Sequence, residues 1–289
     1  MQIFLNGLIS GLAIALMAVA FQVVYLPTRV FFIGLAGLYA LAPYLSMAVQ
    51  QAFGNWPVSI MVTLMVVVGL AMMFEWANHA PLARKGASDG AHLISSLGLY
   101  IVLVQVVAMI WGNSTKTLRA GPNAVFRLGD STLSYSQVLT AGVSAVLLTG
   151  FLVMLRSTDL GLRLRALANN PTQFALFGYD INRHRLLAFA MAGVFATAAA
   201  MLTAYDIGFD PHTGLNATLL AVVAVIIGGR TSFVGPIIGG VLLGLIRGQV
   251  VWYFSARWQD AVTFAVLALF LLVRPQGLFG QKTRIEADT

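Results

Sequence analysis

The sequence predicts an all-α, polytopic transmembrane helical bundle, and three observations carry that prediction. Hydrophobic residues make up 59% of the chain and charged residues only 9%, where a soluble domain carries roughly 25% charged residues. Apolar runs recur along almost the whole length, most of them near the roughly 20 residues that a bilayer crossing takes. The runs are also unbroken, whereas a membrane β-barrel alternates apolar and polar residues over segments of about ten. In hydrocarbon the backbone polar groups of such a run are satisfied within the segment, so each run is expected to be a helix. Mean hydropathy is +0.85.

Taken in order, the candidate spans are residues 3–24, 30–50, 57–76, 92–112, 137–155, 186–205, 215–229, 233–254 and 258–273. The seventh and ninth are short and can be tilted, re-entrant or half-helices, so the reading is about 8–9 spans with irregularity in the C-terminal third. The first run has no basic start and no obvious small-residue cleavage site after it. It reads as a retained membrane helix rather than a removed signal peptide. Linkers are brief except 77–91, 113–136 and 156–185, and residues 1–289 are expected to form a single transmembrane domain.

The net charge of +7 does not point to nucleic acid, because the cations lie between apolar runs rather than on one polar face. They orient the chain instead. With the 156–185 loop inside, twelve cations fall on the cytoplasmic side: Arg29, Arg84, Lys85, the five loop arginines, Arg230, Arg274, Lys282 and Arg284. The outer side then holds four, Lys116, Arg119, Arg127 and Arg257. An outer N-terminus and a cytoplasmic C-terminus follow.

Several chemistries find no support. The chain has no Cys, which removes disulfides and thiolate metal sites. Its four His show no metal-ligand spacing. No nucleophile–base pair suggests a catalytic residue, and no row of intramembrane carboxylates suggests a proton-coupled carrier. No Gly-Lys pair occurs, so a phosphate-binding loop for ATP is missing. No catalytic, metal-binding or cofactor-binding residue is therefore expected in this chain.

The loop from Arg156 to Arg185 is the longest polar interruption in the C-terminal half, with Arg156, Arg163, Arg165, Arg183 and Arg185 against Asp159 and Asp180. A short helix is written into it. Asn170 is an N-cap, Pro171 suits the first helical position, and Gln173 stands three residues after the cap. Gly178 suits the position just past the helix end. Phe174, Ala175 and Phe177 give the helix an apolar side, and a second short segment, residues 162–168, precedes it. Such a helix either docks into a groove on a cytoplasmic partner or rests on the lipid surface with its arginines facing anionic headgroups.

Further on, Gly235/Gly239, Gly240/Gly244 and Gly244/Gly248 are spaced four apart, which lets a neighbouring backbone approach closely. Gly228 and Gly229, before Arg230 and Pro236, are expected to break the backbone between two helices. Such breaks occur only against protein or a water-filled cavity, so they can mark a pathway. Arg247 lies inside a span, where an ionisable group is a functional candidate or snorkels to an interface. Glu75, beside Trp76, reads as interfacial, and Asp206 and Asp210 read as solvated beyond the sixth span. Gln22, Gln105, Thr197, Thr203, Asn216 and Thr218 can line a route or join helices. The polar 113–136 segment is either a plain surface loop or a contact for an extracytoplasmic protein.

These stretches together resemble the permease subunits of ABC importers in the branched-chain amino acid (LivH/LivM-type) family. Arg165, Ala166, Asn170, Pro171, Ala175, Gly178 and Tyr179 resemble that family's coupling-helix loop. Pro81, Leu82, Arg84, Leu93, Ile94 and Gly98 resemble its loop leading into a helix start. Gly228, Gly229, Gly235, Gly239, Gly240, Gly244 and Gly248 follow its glycine pattern, and Val273 to Gly280 match its Arg-Pro-x-Gly-Leu-Phe-Gly terminus. Two places depart from it. The 31–46 region has Gly34, Gly37 and Pro43 but no polar side chain at the break, and Arg247 stands where relatives often place Glu.

The resemblance implies a bacterial inner-membrane permease subunit without its own ATPase site, moving branched-chain or related amino acids. It implies a second homologous permease, two cytoplasmic ATP-binding subunits that hold ATP and Mg, and an extracytoplasmic solute-binding protein. Coupling to the ATPases would fall on Arg165, Ala166, Asn170, Pro171, Phe174, Ala175 and Gly178. Helix packing or a pathway would fall on the glycines and Arg247. A urea, short-amide or sugar permease of the same superfamily, or a partner-independent carrier or channel, are the alternatives.

Overall fold

Each apolar run folds as a helix, the one open-ended structure that satisfies its own backbone in hydrocarbon. The computed structural model describes residues 1–119, 121, 124–128 and 131–279. Among these, helices stand at all nine expected positions: α1 (Gln2–Thr28), α2 (Gly34–Phe53), α3 (Trp56–Phe74), α5 (Asp89–Trp111), α6 (Tyr135–Ser157), α9 (Ile181–Asp206), α10 (Thr213–Gly228), α11 (Gly235–Tyr253) and α12 (Gln259–Val273). Three short helices lie between them, α4 (Ala80–Arg84), α7 (Asp159–Asn169) and α8 (Pro171–Leu176).

Among the described residues, seven helical segments are long and apolar enough to cross a membrane. They are α1, α3 running on to Arg84, α5, α6, α9, α11, and α12 counted from Ala256. The short seventh and ninth runs are short in the structure too: α10 has 16 residues and α12 has 15.

Local polar residues set several helix starts. Ser88 accepts from the Ala91 N–H at the head of α5. Ser134 and Gln137 form a reciprocal capping box at α6. Asp180 accepts from the N–H groups of Asn182 and Arg183 at α9.

The first helix is the axis of the bundle. Residues Ala15 to Val24 of α1 are all 2% exposed or less, and α11, α9, α10 and α6 pack around them. The α1–α11 contact is a glycine seam. A Cβ on Gly244 would sit 2.2 Å from the Gly11 Cα, and one on Gly240 would sit 2.6 Å from the Ala15 Cα. Gly248 closes against Gly7 in the same way. Lipid chains are as apolar as leucine, so such helices associate through close van der Waals contact. These glycines do pack helices, and Gly244 and Gly248 also line a cavity.

Outer faces of the bundle are apolar. Ile60, Met61 and Met65 on α3, Val102 and Met109 on α5, and Val146 on α6 are exposed. Trp76 is exposed where α3 ends, and Trp252, Tyr253 and Trp258 are exposed at the α11–α12 junction, where amphipathic rings suit a membrane interface.

The described residues of the 113–136 segment include regular structure. They contain an antiparallel hairpin, β1 (Val125–Leu128) with β2 (Ser131–Ser134), in which Val125 pairs with Ser134. The Gln2 side chain completes it: its Nε2 donates to the Thr132 carbonyl and its Oε1 accepts from the Thr132 N–H, both at 2.7 Å. Upstream, Lys116 and Phe209 exchange backbone hydrogen bonds at 2.8 Å, tying this segment to the α9–α10 connection.

The C-terminal segment also docks. After α12 ends at Val273, the Leu278 N–H donates to the Ile227 carbonyl at 2.8 Å and the Phe279 N–H to the Gly228 carbonyl at 3.0 Å. Gly277 takes φ 75°, and a Cβ there would lie 2.6 Å from the Gly229 Cα. Gly280, Lys282 and Arg284 lie outside the described residues.

Candidate functional site

The loop between α6 and α9 folds as two short helices with capped ends. Thr158 accepts from the Gly161 N–H at the start of α7, which runs beyond the expected 162–168 segment at both ends. Gly161 permits the tight return from α6, since a Cβ there would lie 2.5 Å from the Leu155 Cα. Leu164, Leu167 and Ala168 turn inward, and Leu162, Arg165 and Ala166 turn outward. Asn170 Oδ1 accepts from the Gln173 N–H at 3.0 Å, Pro171 opens α8, and Gly178 takes φ 82° beyond it. Only glycine adopts that backbone without strain. The cap, the proline and the closing glycine stand where the sequence puts them.

The expected single apolar side of α8 is corrected. Phe174 is 2% exposed and packs between the Tyr179 and His184 rings, with centroids 5.0 and 4.9 Å away. Phe177 is 80% exposed and Leu176 82%. A helix of six residues has too few turns to hold Phe174 and Phe177 on one face once its closing turn begins. Phe174 therefore anchors the helix, while Leu176 and Phe177 form its exposed tip with Ala175.

The loop sits beside the α10–α11 turn. A crevice of about 300 Å³ is lined by Arg156, Arg165 and Asn169 from the loop and by Ser232 and Phe233 from the turn. Gly228 and Gly229 do break the backbone there: α10 ends at Gly228, Gly229 takes φ 114°, and α11 begins at Gly235. Gly228 and Gly235 touch, a Cβ on Gly235 falling 2.5 Å from the Gly228 carbonyl oxygen. Gln22, fully buried in α1, donates to the Arg230 and Ser232 carbonyls, both at 2.9 Å, and so holds the turn shut.

Two carboxylates are not where the sequence reading puts them. Glu75 is 1% exposed, so it is sheltered inside the bundle rather than open to an interface. It opens a π-helical segment, Glu75–His79, and is paired with Arg185 near the start of α9, Nε to Oε1 at 2.5 Å and Nη2 to Oε2 at 3.2 Å. Arg185 is 8% exposed, so it is not one of the free loop cations. The partners are 110 residues apart, which no local pattern reveals. One signal was present: an acid set in an apolar run needs an interior cation when it is not at an interface. Asp206 is likewise not simply solvated, because it accepts a hydrogen bond from the Ser136 hydroxyl. Asp210 is local, accepting from the His212 N–H at 2.8 Å.

At the hairpin end of the bundle α1, α6, α9, α10 and α11 surround a vestibule of about 990 Å³. It lies at the upper end of the range for small-molecule sites, about 300–1,000 Å³. Its lining runs from Met1 to Met17 along α1, a depth of about 24 Å at 1.5 Å per residue. Polar groups converge on it from four helices, among them Asn6, Gln137, Thr203, Asp206 and Asn216. Arg247 reaches it from α11, held by Asp260 Oδ1 and Thr263 Oγ1 at 2.9 Å each.

The candidate polar residues thus divide. Thr203 and Asn216 line the vestibule, and Gln22 holds a turn. Thr197 and Thr218 donate to the Gly193 and Gly214 carbonyls of their own helices, and Gln105 faces outward from α5.

Known proteins resemble this chain along almost its whole length. Residues 3–271 match the family described as the permease component of branched-chain amino acid transport systems. The high-affinity branched-chain amino acid transport system permease protein BraD of Pseudomonas aeruginosa is 26% identical over 296 residues, covering 97% of this chain and 96% of that protein. The corresponding LivH protein of Salmonella typhimurium is 27% identical over the same length, with the same coverage. Among solved structures, PsaBC from Streptococcus pneumoniae in complex with Fab aligns with a TM-score of 0.53 at 14% identity, over 96% of this chain and 94% of that one. At that identity the likeness is one of fold.

Proposed function

This chain belongs to the family of permease components of branched-chain amino acid transport systems, and from that premise we propose that it carries branched-chain or related amino acids across a bacterial inner membrane as a subunit of an ABC importer. It is a multi-pass membrane protein. Its partners are a second, homologous permease chain, two cytoplasmic ATP-binding subunits and an extracytoplasmic solute-binding protein. ATP and Mg belong to the ATP-binding subunits, and this chain contributes no ATPase site.

The observation that carries this reading is the exposed tip of α8. Leu176 and Phe177 project from a helix whose cap and closing glycine hold it in place, beside exposed Leu162, Arg165 and Ala166 of α7. An apolar knob on an arginine-bearing loop tied into the bundle suits a groove on a partner subunit. Phe174 transmits the push inward through His184, and the crevice against Ser232 and Phe233 puts the glycine break within the loop's reach. The vestibule at the opposite end is the solute's entrance, with Asp206 and Arg247 on its wall for the ammonium and carboxylate of an amino acid.

With all nine helices crossing, as this reading takes them, the chain's two ends lie on opposite sides. The loop, the C-terminal segment and most cations then face the cytoplasm, as the positive-inside rule asks.

Mild-detergent purification from the native membrane tests the assembly. Stoichiometric recovery of an ATPase and a second permease, with ATP-driven uptake of leucine, isoleucine or valine by the reconstituted complex, is the expected result. A chain recovered alone that conducts solute without ATP would refute the reading.

A further inference from the structure

We propose that the buried Glu75–Arg185 pair is the linkage that carries movement of the 156–185 loop into α3 and α5, both side chains acting as positioning residues for transport. The proposal rests on the coupling role assigned above to that loop. Three observations lead to it.

The first is adjacency. His184 and Arg185 are consecutive residues on α9, just after the Asp180 cap. His184 grips α8, its ring 4.9 Å from that of Phe174 and its Nδ1 2.8 Å from the Asp180 carbonyl oxygen. Arg185 grips the end of α3 through both oxygens of Glu75. One rigid turn of helix therefore joins the coupling helix to a different transmembrane helix. Gly178, in a left-handed conformation two residues before the cap, is the pivot on the loop side.

The second is continuity. Glu75 and His79 lie at the two ends of the π-helical segment. His79 Nδ1 is 3.3 Å from His92 Nδ1 on α5, and its ring also meets Phe189, one turn beyond Arg185. Asn78 accepts from the Ser95 hydroxyl of α5 at 2.6 Å. The contacts run without a gap from Phe174 through Arg185 and Glu75 to His92.

The third is that this region is irregular and holds buried polar groups that its present arrangement leaves unpaired. A π-helical turn has a widened ladder and recurs at functional sites. Two polar atoms within it, His79 Nε2 and Asn78 Nδ2, are buried without a hydrogen-bond partner among the described residues. A buried donor or acceptor left empty in one conformation is a group available to be satisfied in another. Coupling between distant sites needs an element with two arrangements that both sites can bias.

The test uses the assembled transporter, reconstituted with its solute-binding protein, and reads ATP hydrolysed per solute taken up, per assembled complex. E75Q and R185Q are expected to raise that ratio by about tenfold or more, with R185K in between, because it keeps the charge and loses the two-point contact. The exchange E75R/R185E is expected to return the ratio to within about threefold of the starting value. An unchanged ratio in every variant, with losses confined to the amount of complex recovered, overturns the proposal and leaves the pair a structural tether. Where E75Q does not assemble, H92Q removes only the α5 end of the contact chain; a raised ratio supports the proposal and an unchanged one overturns it. Unaltered protein that shows no ATP-driven uptake refutes the underlying transport reading instead, so the two failures are distinguishable.

Discussion

Along α1 and α11 the backbones touch because side chains are missing, whereas between α3 and α9 a carboxylate and a guanidinium meet in the interior. The seam of Gly7, Gly11, Gly240, Gly244 and Gly248 has no room for a methyl group. Any slide along it drives backbone into backbone. The α3–α9 contact begins the same way part-way along both helices, where a Cβ on Gly193 would lie 3.1 Å from the Val68 Cα. It ends in the Glu75–Arg185 pair and the histidines beside it. Glycine contacts give a fixed axis. Polar contacts at a π-helical turn can be remade elsewhere, and they lie where the loop joins the bundle.

The largest effect that sharpens this contrast is at the seam. Gly244→Leu forces a side chain into the space of Gly11, and overpacking of even a few methylenes costs about 1–3 kcal/mol or more. With backbone as the obstacle, no folded protein is expected, read as loss of the monodisperse peak in detergent size-exclusion chromatography. A well-behaved Gly244→Leu peak would show the seam to be loose.

Next comes Glu75→Gln, which strands Arg185 in the interior. Removing one partner of a buried pair costs about 3–5 kcal/mol, while replacing both by apolar residues of similar size is often near neutral. Thermal unfolding in detergent should fall sharply for E75Q and recover in E75M/R185M. Equal melting of the two variants would mean that the pair is solvated after all.

A smaller effect is expected at the cap of α8. Asn170→Ala removes the acceptor of the Gln173 N–H, a loss of about 1 kcal/mol. Faster amide exchange confined to residues 171–177 is the expected readout, with global stability unchanged. Uniform protection there would show that Phe174 alone holds the helix.

The smallest stability effect belongs to Phe177→Ser, within about 0.5 kcal/mol for an exposed site. Its consequence should appear only in partnership, as reduced recovery of the ATPase with unaltered melting. Normal recovery would remove the tip of α8 from the interface.

Much of this architecture was legible beforehand because the solvent is so restrictive. An apolar run in hydrocarbon has one backbone solution, so the helix positions followed from hydropathy, and the short α10 and α12 followed from run length. The Asn170 cap, Pro171 and Gly178 were legible because capping is a matter of a few adjacent residues. Gly228 and Gly229 announced a break for a similar reason, and the glycines spaced by four announced a contact without naming its partner.

What the chain could not announce is anything that depends on where separate helices meet. The partner of Gly244 turned out to be Gly11, over two hundred residues earlier. Glu75 read as interfacial because it ends an apolar run, and only the arrival of Arg185 from the far side of the loop makes its burial tolerable. Phe174 and Phe177 are the same residue type three positions apart, yet one is an anchor and the other an exposed tip, because Tyr179 and His184 fold back onto the first. The vestibule is a space between several helices and exists in none of them. By itself, then, the sequence determined the helices, their caps and their breaks, since backbone satisfaction and capping act within a turn or two. The tertiary structure alone decided the seam partners, the buried ion pair and the cavity, since these depend on distances between segments that no local interaction specifies.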